Sequence, residues 1–321
     1  MKIIQVLAPG MLTTVQDLGR EGFGAMGVSA SGAADAVSLR IGNRLVGNAE
    51  DAAGLEMTLL GGTFVFPEAA VLALAGSDFG ATLDGVSVEL WSSLEVKPGQ
   101  TLRVGSTRTG ARCYLCVGGG IEVKTFLGSA STHLLSGLGG LHGRALRKGD
   151  VLKIGAPTGA FRKRAVAEDV LKTLSPRKVL RVTPGPQSGC FPEAAQTLFY
   201  ASTYRVAEES NRMGLRLEGP AIPEGAHGEM ISEGVSLGAV QITAGGLPII
   251  LFVEQQTTGG YPKIANVISA DLDSLGQLRP RDEISFEPVD WETARTLLME
   301  QEKLLASEEL FVENPSSDEV H

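Results

Sequence analysis

The sequence predicts a mainly β fold, made of two related barrel-like domains with a few short helices. Three observations predict it. Eight short apolar runs, at 3–7, 71–75, 101–104, 111–117, 151–154, 179–182, 239–242 and 248–253, are bounded by Gly, Pro, Asp or Ser, as strands are. Glycine supplies 41 of 321 residues, nearly double the usual share of about 7%. It falls in short punctuated segments that provide the positive φ angles of tight turns. A turn-plus-strand phrase also recurs, as KPGQTLRVG at 97–105, KGDVLKIG at 148–155 and, more loosely, RPRDEISF at 279–286. Its spacing is too irregular for a solenoid.

The stretch 156–178 separates these copies and is the predicted boundary. It combines Pro157, Gly159, the basic run Arg162, Lys163 and Arg164, a small amphipathic helix through Val166, Val170 and Leu174, and Pro176. The domains are therefore set at 1–156 and 179–312, with 157–178 as a linker and 313–321 as a disordered polar tail. Helices are few. Asp35 caps a segment whose Val37, Ile41 and Leu45 share one face, and Gly47 ends it. Residues 191–200 form a second helix with Pro192 in its first turn, and 271–278 a short third. The last, from about 291 to 305, sets Trp291, Ala294, Leu298 and Leu305 on one face.

Composition excludes several classes. The net charge of -9 leaves no basic patch for nucleic acid. No apolar run approaches the roughly 18 residues of a membrane helix, and residues 1–7 are too short for a signal peptide, so a cytoplasmic location is expected. Cys113 and Cys116 lie in one apolar strand, on opposite faces, without the second pair or nearby histidine of a zinc site; they and Cys190 read as inert thiols. His133, His142, His227 and His321 have no metal-motif partner, so no metal is expected. No G-x-G-x-x-G opens a helix, and GSTRTGAR at 105–112 lacks the Lys-Ser/Thr of a phosphate loop.

Four polar, glycine-punctuated segments remain. They are TTVQDLGR (13–20) with GVSASGAAD (27–35), GGGIEVKTFLGSAST (118–132) with GGLHGR (139–144), ESNRMGLRLEG (209–219) and EQQTTGGYPK (254–263). The fourth follows an apolar strand. Its Gln255, Gln256, Thr257 and Thr258 offer amides and hydroxyls, Gly259 and Gly260 admit close backbone approach, Tyr261 gives a flat wall and Lys263 a cation. Such a set suits a small amide or carboxylate. A hydrogen-bonded barrel loop is the other reading. Arg212 and Arg216 share a face and either fork onto an anion or pair with Glu209 or Glu218 within the fold. Asp17, Arg20 and Asp35 carry the same two readings.

Taken in order, these segments resemble the biotin-dependent carboxyltransferase-like family (allophanate hydrolase subunit 2 or KipA type). The resemblance also takes in LRIGNRLVGN (39–48), LEMTLLGG (55–62), GRALRKGD (143–150), ISEGVSLGAVQI (231–242), PIILFVEQQTTGGYPKIANVISADL (248–272) and QLRPRD (277–282), covering roughly 8–287. It implies two cyclophilin-like β-barrel domains. Family members include the carboxyltransferase half of urea carboxylase, the KipA-type partner of a kinase inhibitor, and the C-type component of 5-oxoprolinase, which the sequence resembles most. That last likeness implies work with a KipI-like subunit (allophanate hydrolase subunit 1) and a LamB/YcsF-like subunit, with ATP shared between them, to open 5-oxo-L-proline to L-glutamate. No biotin is expected on this chain, which carries no biotinyl Met-Lys-Met segment. A KipA-type regulator without chemistry, and a carboxyltransferase acting on urea or a lactam, are the alternatives.

On the resemblance, the 256–261 loop is expected to hold the lactam, Arg212 or Arg216 its carboxylate or a phosphate, and Glu254 or Asp17 to act as general base. Arg20, Ser31, Asp35, Ser129, Ser131, Thr132, Gln255 and Lys263 are expected to line the site. Two departures stand out. The family usually has Asp-Arg where this chain has Glu254-Gln255, and Pro-Gly-Asp where it has Pro280-Arg281-Asp282.

Overall fold

The computed structural model describes residues 2–313 apart from 158, 160 and 224–229. His227, His321 and residues 314–321 of the expected tail therefore lie outside the described residues. The chain divides into two compact units. The first takes in residues 2–20, 31–175 and 304–313, and the second 21–30 and 176–303. Both are built mainly of strands.

In the first unit, seven strands make one antiparallel sheet, in the spatial order Ile121–Glu122, Val151–Ile154, Ile3–Ala8, Thr63–Val65, Thr101–Arg103, Thr82–Leu83 and Val86–Ser87. A five-stranded sheet runs Leu12–Gln16, Gly54–Thr58, Arg112–Val117, Ala70–Gly76 and Ser93–Val96. One core joins Ile4, Val6, Phe64 and Leu102 of the first sheet to Val15, Leu55, Leu72 and Leu115 of the second. The period of two along Arg112–Val117 explains its apolar run from Cys113 to Val117. Cys113, Leu115 and Val117 enter that core, while Tyr114 and Cys116 face a second cluster under the helix Ala36–Leu45. Both thiols are buried and free, and burial raises the pKa of each. The helix begins as the sequence requires: Asp35 accepts from Ser38 N at 2.8 Å.

The predicted linker holds the small helix its sequence implies and a strand besides. Arg164–Val166 is a strand and Glu168–Thr173 a helix, and both belong to the first unit. The reason is apolar burial, since Val166 and Val170 pack in the second cluster with Leu305 and Leu310. Glu313, assigned from the sequence to the tail, closes the strand Phe311–Glu313, which pairs with Arg164–Val166.

The second unit closes a seven-stranded barrel in the order Val179–Pro184, Lys263–Val267, Ala239–Ile242, Pro248–Leu251, Gly214–Glu218, Tyr204–Val206 and Glu283–Pro288. All neighbours are antiparallel except the last pairing with the first. The helix Glu193–Ala201 lays Phe199 on Phe286 with ring centroids 4.5 Å apart. Burial there pushes the Tyr204 phenol up to about 12. Asp271, fully buried, binds the backbone N of Arg181 at 2.8 Å and its guanidinium. The last helix, Trp291–Ala306, buries Leu305 but leaves Trp291 67% exposed, so the predicted apolar face is only partly used.

The recurring phrase gives the same local form three times. Gly99, Gly149 and Arg281 occupy its turns, with φ of 85°, 89° and 73°, each just ahead of a strand. Arg281 thus stands in a left-handed position that glycine fills without strain.

Candidate functional site

In the first unit the strand Leu12–Gln16 delivers Asp17 to a turn at 129–132. Its carboxylate accepts from Ser129 Oγ at 2.6 Å, Ala130 N at 2.6 Å, Gly19 N at 2.8 Å and the Ser131 hydroxyl. Thr132 Oγ1 donates to Val15 O, and Ser31 Oγ to Thr132 O, each at 2.9 Å. Arg20 donates to the carbonyls of Ser131 and Phe126 and lies over the Phe126 ring, 5.7 Å from its centroid. Asp17, Arg20, Ser31, Ser129, Ser131 and Thr132, which come from two separate segments and are expected from the sequence to line a site, are therefore one buried polar seam. Gly139 and Gly140 make room for it. A Cβ at Gly139 would fall 2.1 Å from Ser131 O, and one at Gly140 1.9 Å from Thr132 Oγ1. Asp35 does not join the seam; both its oxygens are engaged by Ser38 at the helix start.

Phe126, which Arg20 supports, lines an open cleft of about 630 Å³ together with Lys124, Gly139, His142 and Lys153. Most of its lining belongs to the polar segment 118–132 with 139–144, and Lys153 joins it from the strand Val151–Ile154.

In the second unit, Arg212 donates to Glu254, with side chains 5% and 3% exposed. This is not the pairing with Glu209 or Glu218 that spacing allowed, and Glu218 is taken by Arg205. Arg216 parts from Arg212. It is exposed on the strand Gly214–Glu218, where it alternates with buried Leu215 and Leu217. Lys263, buried, donates to Glu233, which also accepts from Gln187 Nε2 at 2.7 Å. These two hydrogen bonds, Lys263's first, hold the Glu233 carboxyl below its ordinary range. Residues 255–261 form the loop between them. Thr258–Gly259 pairs with Glu233–Gly234, Thr257 O accepts from Val235 N, and Gln255 Nε2 donates to Val235 O at 3.2 Å. Gln256, Thr258, Gly260 and Tyr261 are exposed or half-buried. The loop thus presents an amide, a hydroxyl, bare backbone and an aromatic face, flanked by the buried Arg212–Glu254 pair and by the pair of buried Lys263 with exposed Glu233.

The family profile described as carboxyltransferase domain, subdomain A and B, matches residues 26–288. The chain belongs to the carboxyltransferase domain family. Its relatives agree. It is 39% identical to the C-type component of 5-oxoprolinase from Escherichia coli K12, over 94% of this chain and 96% of that protein. It is 36% identical to the urea amidolyase of Saccharomyces cerevisiae over 95% of this chain but only 18% of that protein. The crystal structure of the Kluyveromyces lactis urea carboxylase superposes with a TM-score of 0.90 at 35% identity, covering 98% of this chain and 30% of that one. The chain therefore spans less than a third of the solved carboxylase.

For this carboxyltransferase domain the sequence reading missed Gln241, Glu233 and Gln187. Gln241 had a signal, being the one amide in an otherwise apolar strand. Glu233 and Gln187 had none, since each acts through a partner distant in sequence. No group of three His, Cys, Asp or Glu side chains able to hold a metal occurs among the described residues, and no described helix is long and apolar enough to cross a membrane.

Proposed function

We propose that this chain is the lactam-binding component of an ATP-dependent 5-oxoprolinase, acting with a KipI-like and a LamB/YcsF-like subunit. The observation that carries the reading is the match to the Escherichia coli 5-oxoprolinase component along nearly the whole of both chains. The loop chemistry supports it, because amides, a hydroxyl and bare backbone suit a small cyclic amide better than a phosphate chain. Opening a five-membered lactam is uphill, and a phosphoryl group from ATP on the amide oxygen would make its carbon electrophilic. In this reading ATP is shared with the partner subunits and no biotin is carried by this chain.

Within the chain, the 256–261 loop holds the ring and exposed Arg216 meets an anionic group. Of the two candidate bases, Glu254 is retained. Asp17's oxygens already accept four hydrogen bonds, whereas Glu254 opens the polar loop with Arg212 as its counter-ion. In that role Glu254 takes the proton of the attacking water. The test is to co-purify the protein with both partners and measure 5-oxo-L-proline-dependent phosphate release. Release that vanishes without this chain supports the reading. A well-formed complex that releases none refutes it and favours a KipA-type regulator.

A further inference from the structure

Gln241 is 2% exposed, and its Nε2 is fully buried with no hydrogen-bond partner among the described residues. In an apolar barrel strand a leucine would fill this place without leaving a donor unpaired. Buried polar groups in native structures are nearly always paired, so an orphan asks for a reason. The local backbone is also shaped around it, for the strand register shifts between Val240 and Gln241. Such bulges re-aim side chains and cluster beside binding sites.

The aim of the side chain is defined by Gly259. A Cβ on that residue would meet Gln241 Nε2 at 2.6 Å, Val235 Cγ1 at 3.1 Å and Gln256 Nε2 at 3.2 Å. The Gln241 amide thus lies on the glycine of the polar loop. Gln255 is tied to Val235, which packs on the same glycine. Its Nε2 donates to Val235 O, which fixes the amide's orientation, and its Oε1 is buried without a partner. One orphan donor thus lies on Gly259, and one orphan acceptor belongs to a side chain tied to Val235, whose Cγ1 faces the same glycine.

We infer that Gln241 Nε2 and Gln255 Oε1 form a donor–acceptor pair that reads the C=O and N–H edge of a cis amide. A lactam ring fixes its carbonyl and N–H on the same edge, so a side-by-side donor and acceptor match it. Urea and primary amides share that edge. An N-alkylated lactam lacks the N–H and a saturated cyclic amino acid lacks the carbonyl. The assignment gives Gln255, which replaces the family's usual arginine, a positive role. It rests on the reading of this loop as the amide-binding site.

The test is calorimetric or ligand-observed NMR binding to the complex of the full chain with its partners. The probes are 5-oxo-L-proline, 2-pyrrolidone, N-methyl-2-pyrrolidone, L-proline and urea. Gln241→Leu and Gln255→Leu are each expected to weaken 5-oxo-L-proline and 2-pyrrolidone about tenfold, while N-methyl-2-pyrrolidone and L-proline bind poorly to every form. Gly259→Ala, which displaces the Gln241 amide without altering it, is expected to do the same with the melting temperature showing an intact fold. Lactam binding within twofold of wild type in folded Gln241→Leu or Gly259→Ala overturns the pair. Equal wild-type binding of 2-pyrrolidone and its N-methyl form, or no binding of any lactam or urea, does so too. If wild type binds 2-pyrrolidone or urea but not 5-oxo-L-proline, and the variants lose that binding, the pair stands and the oxoprolinase reading falls.

Discussion

Asp17→Asn separates scaffolding from catalysis at the first unit's seam. The native carboxylate is 9% exposed and accepts four hydrogen bonds, three on Oδ1 and that of Ala130 N on Oδ2. Asparagine keeps the shape but turns an NH₂ toward one of these donors, so the Ala130 bond is lost, at about 1.5–3 kcal/mol for a bond to a charged group. The other three weaken from charged to neutral, by about 1 kcal/mol each. Easier burial of a neutral side chain offsets part of the sum, leaving a net loss of about 3 kcal/mol. For a unit of this size that lowers the melting temperature by about 6–12 °C. Urea unfolding followed by circular dichroism reads the loss, and phosphate release by the assembled complex, at a temperature where the variant is folded, reads the chemistry. Unchanged stability with activity down a hundredfold or more would refute the scaffold role and return Asp17 to the catalytic machinery.

Two further outcomes are expected. Arg281→Gly removes a left-handed arginine that costs about 1–2 kcal/mol and gives up only an exposed pair with Glu208, one worth about 0–1 kcal/mol. It therefore raises unfolding free energy by up to about 2 kcal/mol in urea, and a loss of stability would contradict the strain. Asp150 is held below the ordinary carboxylate range chiefly by Arg144, with Arg147 N helping and burial opposing. Because its folded pKa is depressed, its stabilisation is complete above the unfolded value of about 3.9 and is lost as pH falls through the folded value. The stability gap between wild type and Asp150→Asn should be flat near neutrality and close progressively below about pH 4. A gap that widens on acidification would reverse the sign.

The β class and the boundaries of many strands were legible because period-two burial and glycine turns are local signals. All eight predicted runs contain strands, from Ile3–Ala8 to Pro248–Leu251. Leu12–Gln16 was read only as a polar segment, since Thr13, Thr14 and Gln16 are polar yet buried at 2% exposure or less. Gln16 Nε2 donates to Thr14 Oγ1 and to Thr132 O of the 129–132 turn, a tertiary effect that no window of sequence contains. Trp291 failed in the opposite sense, because helical spacing marks a face but not whether anything covers it. Arg212 and Arg216 show why equal spacing misleads. Arg212 lies two residues ahead of its strand, beside Glu254, and only Arg216 obeys the strand's alternation. Gln241 and Gly259 become neighbours only once the strands Ala239–Ile242 and Lys263–Val267 pair.

The strand Phe311–Glu313 pairs with Arg164–Val166, so the first unit is sewn shut by a segment about 150 residues further along the chain. On the ribosome, everything between must be synthesised before that pairing forms, on the order of ten seconds at about 5–20 residues per second. During that interval Val166 and Val170 await Leu310 as their cover. Nascent chains halted before residue 310 would thus carry an exposed apolar seam, a natural landing place for chaperones, while the second unit's barrel strands, the last of them Glu283–Pro288, have already been made.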